Sequence, residues 1–414
     1  MRGRPDRPTP WRLRLYASFL SLANGVRAED SGDEFSNNLL SDLSPLLALF
    51  GEQFAKQFMS HSLTIADNVV FAMAPIGVIT ALVGAIRAGG PAWLRSVIGR
   101  ARENHAAAEV EYMSSVSHEV CEVWNGSSVV RIPGSPEIQM FVYIKELQHE
   151  TIACSPGVPA IPFRQKSGTD SENARPSRYK VIDHHDKLAS NITLNLARSR
   201  VWLLYASAVF GVALQAGVLV VSGLATYRFP WLKGGSEVSW YAYPFTAAGT
   251  TCLCLGMFIC ATVIEQSTRE FRWKPADTTQ KLHVLWLQRE LVINDQSFRS
   301  FGLFSQRTLD FLLTSHPVHL LETPEGTMDS KDKNAVRREY MRRLNSYTIV
   351  GTVVSLVGFV FQFVGLRAMH WSASIFQLGA TLIMILVRVA LRWKLTSEPN
   401  AVELMKGHEL DWFA

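Results

Sequence analysis

Five stretches of the chain are nearly free of charge: Val69–Ile86, Val201–Ala225, Tyr241–Ile264, Tyr347–Leu366 and Ser372–Leu391. About 20 mostly apolar residues carry an α-helix across about 30 Å of hydrocarbon. The last four stretches therefore predict transmembrane helices. The first is shorter, contains Pro75 and lies between Asp67 and Arg87; it is read as a fifth span, with a buried or re-entrant helix as the alternative. Aromatic residues gather at the ends of the runs, as an interfacial belt requires: Trp202 and Tyr205, Trp231, Trp240 and Tyr241, Tyr347, Trp371 and Trp393.

The pattern between the runs predicts a mainly α membrane protein with about five transmembrane helices and a cytosolic α+β module built from two loops. The segments are a tail over 1–44, an amphipathic helix over 45–66, spans at 67–90, 199–225, 240–264, 347–366 and 372–391, an external loop at 226–239, cytosolic loops at 91–198 and 265–346, and a cytosolic tail at 392–414. Ser44-Pro45 starts the amphipathic helix, and Leu46, Leu47, Phe50, Phe54 and Phe58 form one apolar face suited to packing on the bundle. In the first loop, Pro91 opens a helical pattern reaching about Tyr112. Glu119–Trp124 and Ser127–Ile132 flank Asn125-Gly126 as a hairpin, Glu137–Ile144 is a third strand, and 155–180 is a Pro/Ser/Gly-rich loop. In the second loop, Lys281–Leu287 and Ser300–Ser305 read as strands around an Asn294-Asp295 turn, and an Arg-rich helix over Asn334–Leu344 leads into the fourth span.

Charge then sets direction. The clusters Arg87/Arg95/Arg100/Arg102, Lys187/Arg198/Arg200, Arg269/Arg272/Lys274, Arg337/Arg338/Arg342/Arg343 and Arg388/Arg392/Lys394 all fall on one side if the N-terminus is outside or lumenal and the C-terminus cytosolic. With four spans only the amino-terminal segment changes sides. The plasma membrane or secretory pathway is the expected location. Two sequons, Asn125-Gly-Ser and Asn191-Ile-Thr, lie in the first cytosolic loop and are expected to carry no glycan. Residues 1–28 are Arg-rich with a short apolar stretch, and fit a signal peptide, a mitochondrial presequence or a disordered basic tail.

Composition adds little chemistry. A net charge of +5 is the sum of the membrane-flanking basic residues and does not indicate a nucleic-acid partner. The five cysteines form no disulfide framework; Cys260 is a packing thiol or, as the alternative, a palmitoylation site. His184-His185-Asp186 is the one cluster of metal-ligand type, but its spacing does not suit a site. No catalytic, cofactor-binding or metal residue is assigned, and the chain is read as a non-enzyme. Within the apolar runs no Asp or Glu occurs, which argues against proton-coupled transport. Three amides do occur, Gln215, Gln362 and Gln377, and these are the candidate intramembrane polar contacts. Arg388 lies near the cytosolic end of its run and is expected to snorkel to the headgroups. Ala213-x-x-x-Gly217 and Gly351-x-x-x-Ser355 are small-residue pairs that permit close helix approach.

The stretch FAMAPIGVITALVGAIRAGGPAWLRSVIGRARENHAAAEVEYMSS, continuing to EVCEVWNG, and the later stretches LRAMHWSASIFQLGATLIMILVRVALRW and GHELDWFA resemble blocks of an uncharacterised family of multi-spanning integral membrane proteins of filamentous fungi. Some members carry ankyrin repeats beyond the membrane region, a period this chain lacks. The resemblance implies a fungal source and an integral membrane class, and carries over no activity and no site residue. The function expected is a non-enzymatic scaffold or signalling component, with the lipid bilayer and cytosolic proteins as partners. The alternative is a channel or transporter of an uncharged solute.

Overall fold

The computed structural model describes residues 51–134, 138–145, 179–184, 191–196, 201–228, 238–274, 282–293, 295–305, 308–318, 330–393, 398–409 and 411. Residues 1–50, the Pro/Ser/Gly-rich stretch up to 178, and His185 and Asp186 lie outside them. The chain is mainly helical with a strand-containing region. Ten helices are described: α1 (Glu52–Met59), α2 (Ile65–Ala72), α3 (Val78–Gly89), α4 (Ala92–Val97), α5 (His105–Tyr112), α6 (Thr193–Leu196), α7 (Val201–Tyr227), α8 (Ala242–Gln266), α9 (Ser330–Ala368) and α10 (Trp371–Arg392). Four of them, α7, α8, α9 and α10, are long and apolar enough to cross a bilayer.

α8 and α9 pack antiparallel along a seam of glycines spaced seven residues apart: Gly249 and Gly256 on one, Gly351, Gly358 and Gly365 on the other. A seven-residue repeat holds one stripe of a helix against its neighbour over several turns. A methyl group placed on Gly249 would strike the backbone of Gln362, one on Gly256 that of Ser355, one on Gly358 that of Leu253 and one on Gly365 that of Thr246. The two backbones thus touch directly, which in hydrocarbon supplies the dispersion contact that water exclusion cannot. Gly351 and Ser355 lie on this seam, and the Cys260 thiol is buried against Gly351. The other small-residue pair faces outward: Ala213 is exposed and nothing lies within 4 Å of the space beside Gly217.

The continuous helix expected over Val69–Ile86 is instead two, α2 and α3, separated by Met73–Gly77. Pro75 cannot donate an amide to a helix, and Gly77 takes φ +72°, a left-handed conformation that suits glycine at the start of α3. At 12 residues, α3 is about 18 Å long, too short to cross alone. The pair forms a hairpin whose two outer ends both lie beside the last turns of α8. Asn68 donates to Glu265 and Thr262 near the start of α2, while Gly89 at the end of α3 packs on Val263. The tip reaches inward to Gly211 and Gln215 of α7. Of the predicted 45–66 helix, the described part ends at Met59, and Ala55, Phe58 and Met59 bury against this hairpin.

The strands form one larger unit from distant segments. β1 (Val120–Trp124) and β2 (Val129–Pro133) make the expected hairpin. Its loop has four residues, because the Asn125 carboxamide oxygen accepts from the amides of Ser127 (2.9 Å) and Ser128 (2.8 Å) and holds both outside the strand. β3 (Ile138–Lys145), β4 (Tyr179–His184), β6 (Leu282–Gln288), β9 (Phe301–Phe304) and β11 (Asn400–Glu403) form an antiparallel sheet in the order β11-β9-β6-β3-β4. Tyr179 and Lys180, read as loop, open β4. β7 (Leu291–Ile293) and β8 (Gln296–Phe298) form a separate small hairpin around Asp295, and β5 (Thr268–Trp273) pairs with β10 (Leu312–Pro317). Leu282, Val284 and Trp286 of β6 alternate onto one face with Met140, Val142 and Leu303, against Phe271, Trp273 and Leu312 of the β5–β10 pair. Leu285 and Leu287 point the other way, to Phe141 and to Leu404 of the carboxy-terminal segment.

Leucine at Gly358 should therefore destabilise the chain by about 3 kcal/mol, read as a lower unfolding temperature in detergent. Leucine at Gly217, where there is room, should change stability by no more than about 0.5 kcal/mol. Equal losses at the two positions would contradict the seam.

Candidate functional site

The break between α2 and α3 leaves the last carbonyls of α2 without helical donors, and Val70, Phe71 and Ala74 are fully buried, so no water replaces them. Arg388 of α10 fills the gap. Its side chain is fully buried, and it donates to the carbonyl oxygens of Ala74 (Nη2, 2.6 Å), Val70 (Nη2, 3.3 Å) and Phe71. The negative end of the α2 dipole meets a positive guanidinium. Three phenyl rings surround the charge, with Phe71 at 4.9 Å, Phe58 at 5.3 Å and Phe54 at 5.8 Å from its centre. Among the described residues it has no carboxylate partner. Arg388 therefore does not snorkel: the nearby carbonyls outcompete the headgroups, since reaching water would strand them.

Gln215 of α7 donates to the Met73 carbonyl at 2.7 Å, so a second helix also ties down the break. One turn beyond Arg388, Arg392 pairs with Asp67 at 2.9 Å over the Phe58 ring. Asp67 also closes a capping box with Thr64, which fixes the start of α2. α2 is thus clamped at both ends by α10.

The other predicted amides lie elsewhere. Gln362 donates to Thr250 across the α8–α9 seam at 3.0 Å, and Gln377 is buried on α10 with its amide nitrogen unpaired. Gln215, Gln362 and Gln377 share no partner. His184 ends β4, and no group of three metal-ligating side chains occurs among the described residues.

Sequence reasoning missed two further polar centres. Over the end of α3, Arg87 chelates Glu103 (2.7 Å) and meets Glu111 (2.8 Å), and Lys56 of α1 reaches Glu111 at 2.8 Å. Burial pushes the Glu111 carboxyl up, but Arg87 and Lys56 outweigh it and hold the group at about 2. In the strand unit, Asn191 and Asn195 act as backbone surrogates along β10: Asn191 accepts from the Ser315 amide at 2.8 Å, and Asn195 accepts from the Leu313 amide at 2.9 Å. Glu122 accepts from the amides of Ile192 and Thr193 at 2.7 and 2.8 Å. Beside them Glu109 is buried and receives the hydroxyls of Ser115 and Ser117. Burial raises its carboxyl to about 7, against the downward pull of Arg131 and of those hydroxyls. A spacing signal was present for Arg388, which shares a face with the buried Gln377, Met384 and Leu391. None was present for the asparagines, whose partners on β10 are over a hundred residues away.

These arrangements hold backbone in place, and none brings together a nucleophile, a base and an open cavity. Comparison of the chain with family models, with curated proteins and with solved structures gives no match. What the fold defines is the class: a membrane protein with four helices fit to cross a bilayer and an associated α+β unit.

Arg388→Leu should destabilise the chain by on the order of 3 kcal/mol, because it strands buried carbonyls. Arg388→Lys should recover only part, since one ammonium cannot reproduce the guanidinium fork. Unfolding in detergent reads both, and full rescue by lysine would argue for a charge effect alone. Glu109 has a signed consequence for pH. Its folded carboxyl titrates near 7 against an ordinary 4.5, so its contribution to stability is complete below about 4.5 and is lost as pH rises through 7. Denaturant midpoints between these pH values should fall in the wild type, and Glu109→Gln should flatten that slope.

Proposed function

We propose that this chain is a non-enzymatic membrane scaffold or signalling component that displays one cytosolic α+β module over a four-span bundle, with the α2–α3 hairpin re-entering from the cytosolic side. The observation that carries the reading is the five-stranded sheet. It draws β3 and β4 from before α7, β6 and β9 from between α8 and α9, and β11 from after α10. Strands hydrogen-bonded in one sheet share one side of a membrane. Lys56 of α1 adds the amino-terminal segment to that side through Glu111. Four crossings satisfy all of these links, and the basic clusters make the shared side cytosolic. The resemblance to fungal multi-spanning proteins fits this class.

The transport alternative rests on the intramembrane amides. Gln215 and Gln362 are engaged with Met73 and Thr250, which favours a packing role for them. The scaffold reading also accounts for the extent of ordered sequence outside the helices, more than connections require.

Two measurements test this. Asn125 is exposed at the hairpin tip, whereas Asn191 is fully buried and hydrogen-bonded, so only Asn125 reports on topology. No glycosidase-sensitive mass shift should map to Asn125, and a shift abolished by Asn125→Gln would overturn the orientation. Proximity labelling from a ligase fused at the C-terminus should enrich a distinct set of cytosolic proteins. A set indistinguishable from that of a generic membrane control would sink the scaffold reading.

A further inference from the structure

We propose that the arginine face of α9 immediately outside the bilayer, formed by Arg337, Arg338 and Arg342, binds the phosphorylated headgroup of an anionic phospholipid. The inference needs α9 to cross the membrane but does not depend on the scaffold reading. These arginines line a surface groove together with Met341 and Asn345. At about 100° per residue the five positions cover one face of the helix, an arc of about 140°. All three arginines are exposed, and Arg337 and Arg342 have no acidic partner among the described residues. Arg343, on the other side of the helix, pairs with Glu339 at 3.1 Å. Like charges this close on a helix repel one another and are relieved by an anion.

Height above the membrane selects the anion. Tyr347 is half exposed at the start of the apolar run and marks the boundary. At about 1.5 Å per residue, Arg342 stands about 7 Å beyond it and Arg337 about 15 Å. The interfacial layer is only about 5–7 Å deep on each side. A glycerol-linked phosphate reaches Arg342 alone. A headgroup that also carries phosphate monoesters on a ring standing off the surface reaches all three. Guanidinium forks suit such oxygens geometrically, and basic clusters beside a transmembrane helix attract anionic lipid.

The test uses the full chain purified in detergent and titrated with dioctanoyl phosphatidylinositol bisphosphate at physiological salt. Binding should weaken on the order of 100-fold when Arg337, Arg338 and Arg342 are all changed to glutamine. Arg343→Gln should stay within about twofold, because that charge is already paired. If the triple variant loses its unfolding transition, Arg342→Gln alone decides, with about a fivefold loss expected. Undiminished binding by a folded triple variant would overturn the proposal. So would equal affinity for dioctanoyl phosphatidylserine, which lacks the monoesters, or for free inositol trisphosphate, which would make the ligand soluble. Membrane insertion is read separately, by resistance to carbonate extraction.

Discussion

Backbone carbonyls that leave a helix where no water reaches them must find donors within the protein. The rest of this structure is arranged around that constraint. Pro75 and Gly77 end one helix and begin another within a few residues, so α2 and α3 fold back as a hairpin instead of running on. The carbonyls released there converge on Arg388, and that of Met73 on Gln215. An arginine is suited to this: it offers several donors in one plane, and its charge complements the negative end of a helix. Three phenyl rings complete an enclosure that keeps the charge dry.

The clamp also organises the ends of the bundle. Because Arg388 and Arg392 hold the two ends of α2, α10 is tied to the hairpin, and the hairpin rests on the last turns of α8. α8 in turn is fixed to α9 by direct backbone contact along the glycine seam. On the side where the hairpin opens, Arg87, Glu103, Glu111 and Lys56 form a charged lid over the end of α3. The strand unit lies beyond, cross-linked by side chains that imitate backbone. Gln288 accepts from the Trp124 amide at 2.8 Å and donates to the Trp124 carbonyl at 2.9 Å, joining the β1–β2 hairpin to the sheet. Gln288 is fully buried with both of these bonds made, and losing one such partner costs more than the bond itself contributes.

Much of this was legible along the chain. The four long helices follow from apolar length, the β1–β2 hairpin from Asn125-Gly126, and β3, β6 and β9 from alternation within a residue or two of their ends. Pro75 raised a buried or re-entrant helix as an alternative to a span, though not the break into two helices. The reading of Arg388 failed for an energetic reason: its position permitted snorkelling, but only the folded structure puts orphaned carbonyls beside it. β5, β10 and β11 were missed because pairing partners define them more than their own composition does, and β11 is exposed along its length.

By itself, then, the sequence determined which segments are apolar enough for a bilayer, where the basic residues gather beside them, and where the chain turns, because these depend on local solvation and local backbone preference. The tertiary structure decided what the polar groups inside are for. Whether an arginine faces water or a broken helix, whether a small-residue pair is a seam or an outer surface, and which strands share a sheet all depend on atoms far apart in the chain. No periodicity records those distances, and the energy of each choice exists only once both partners are in place.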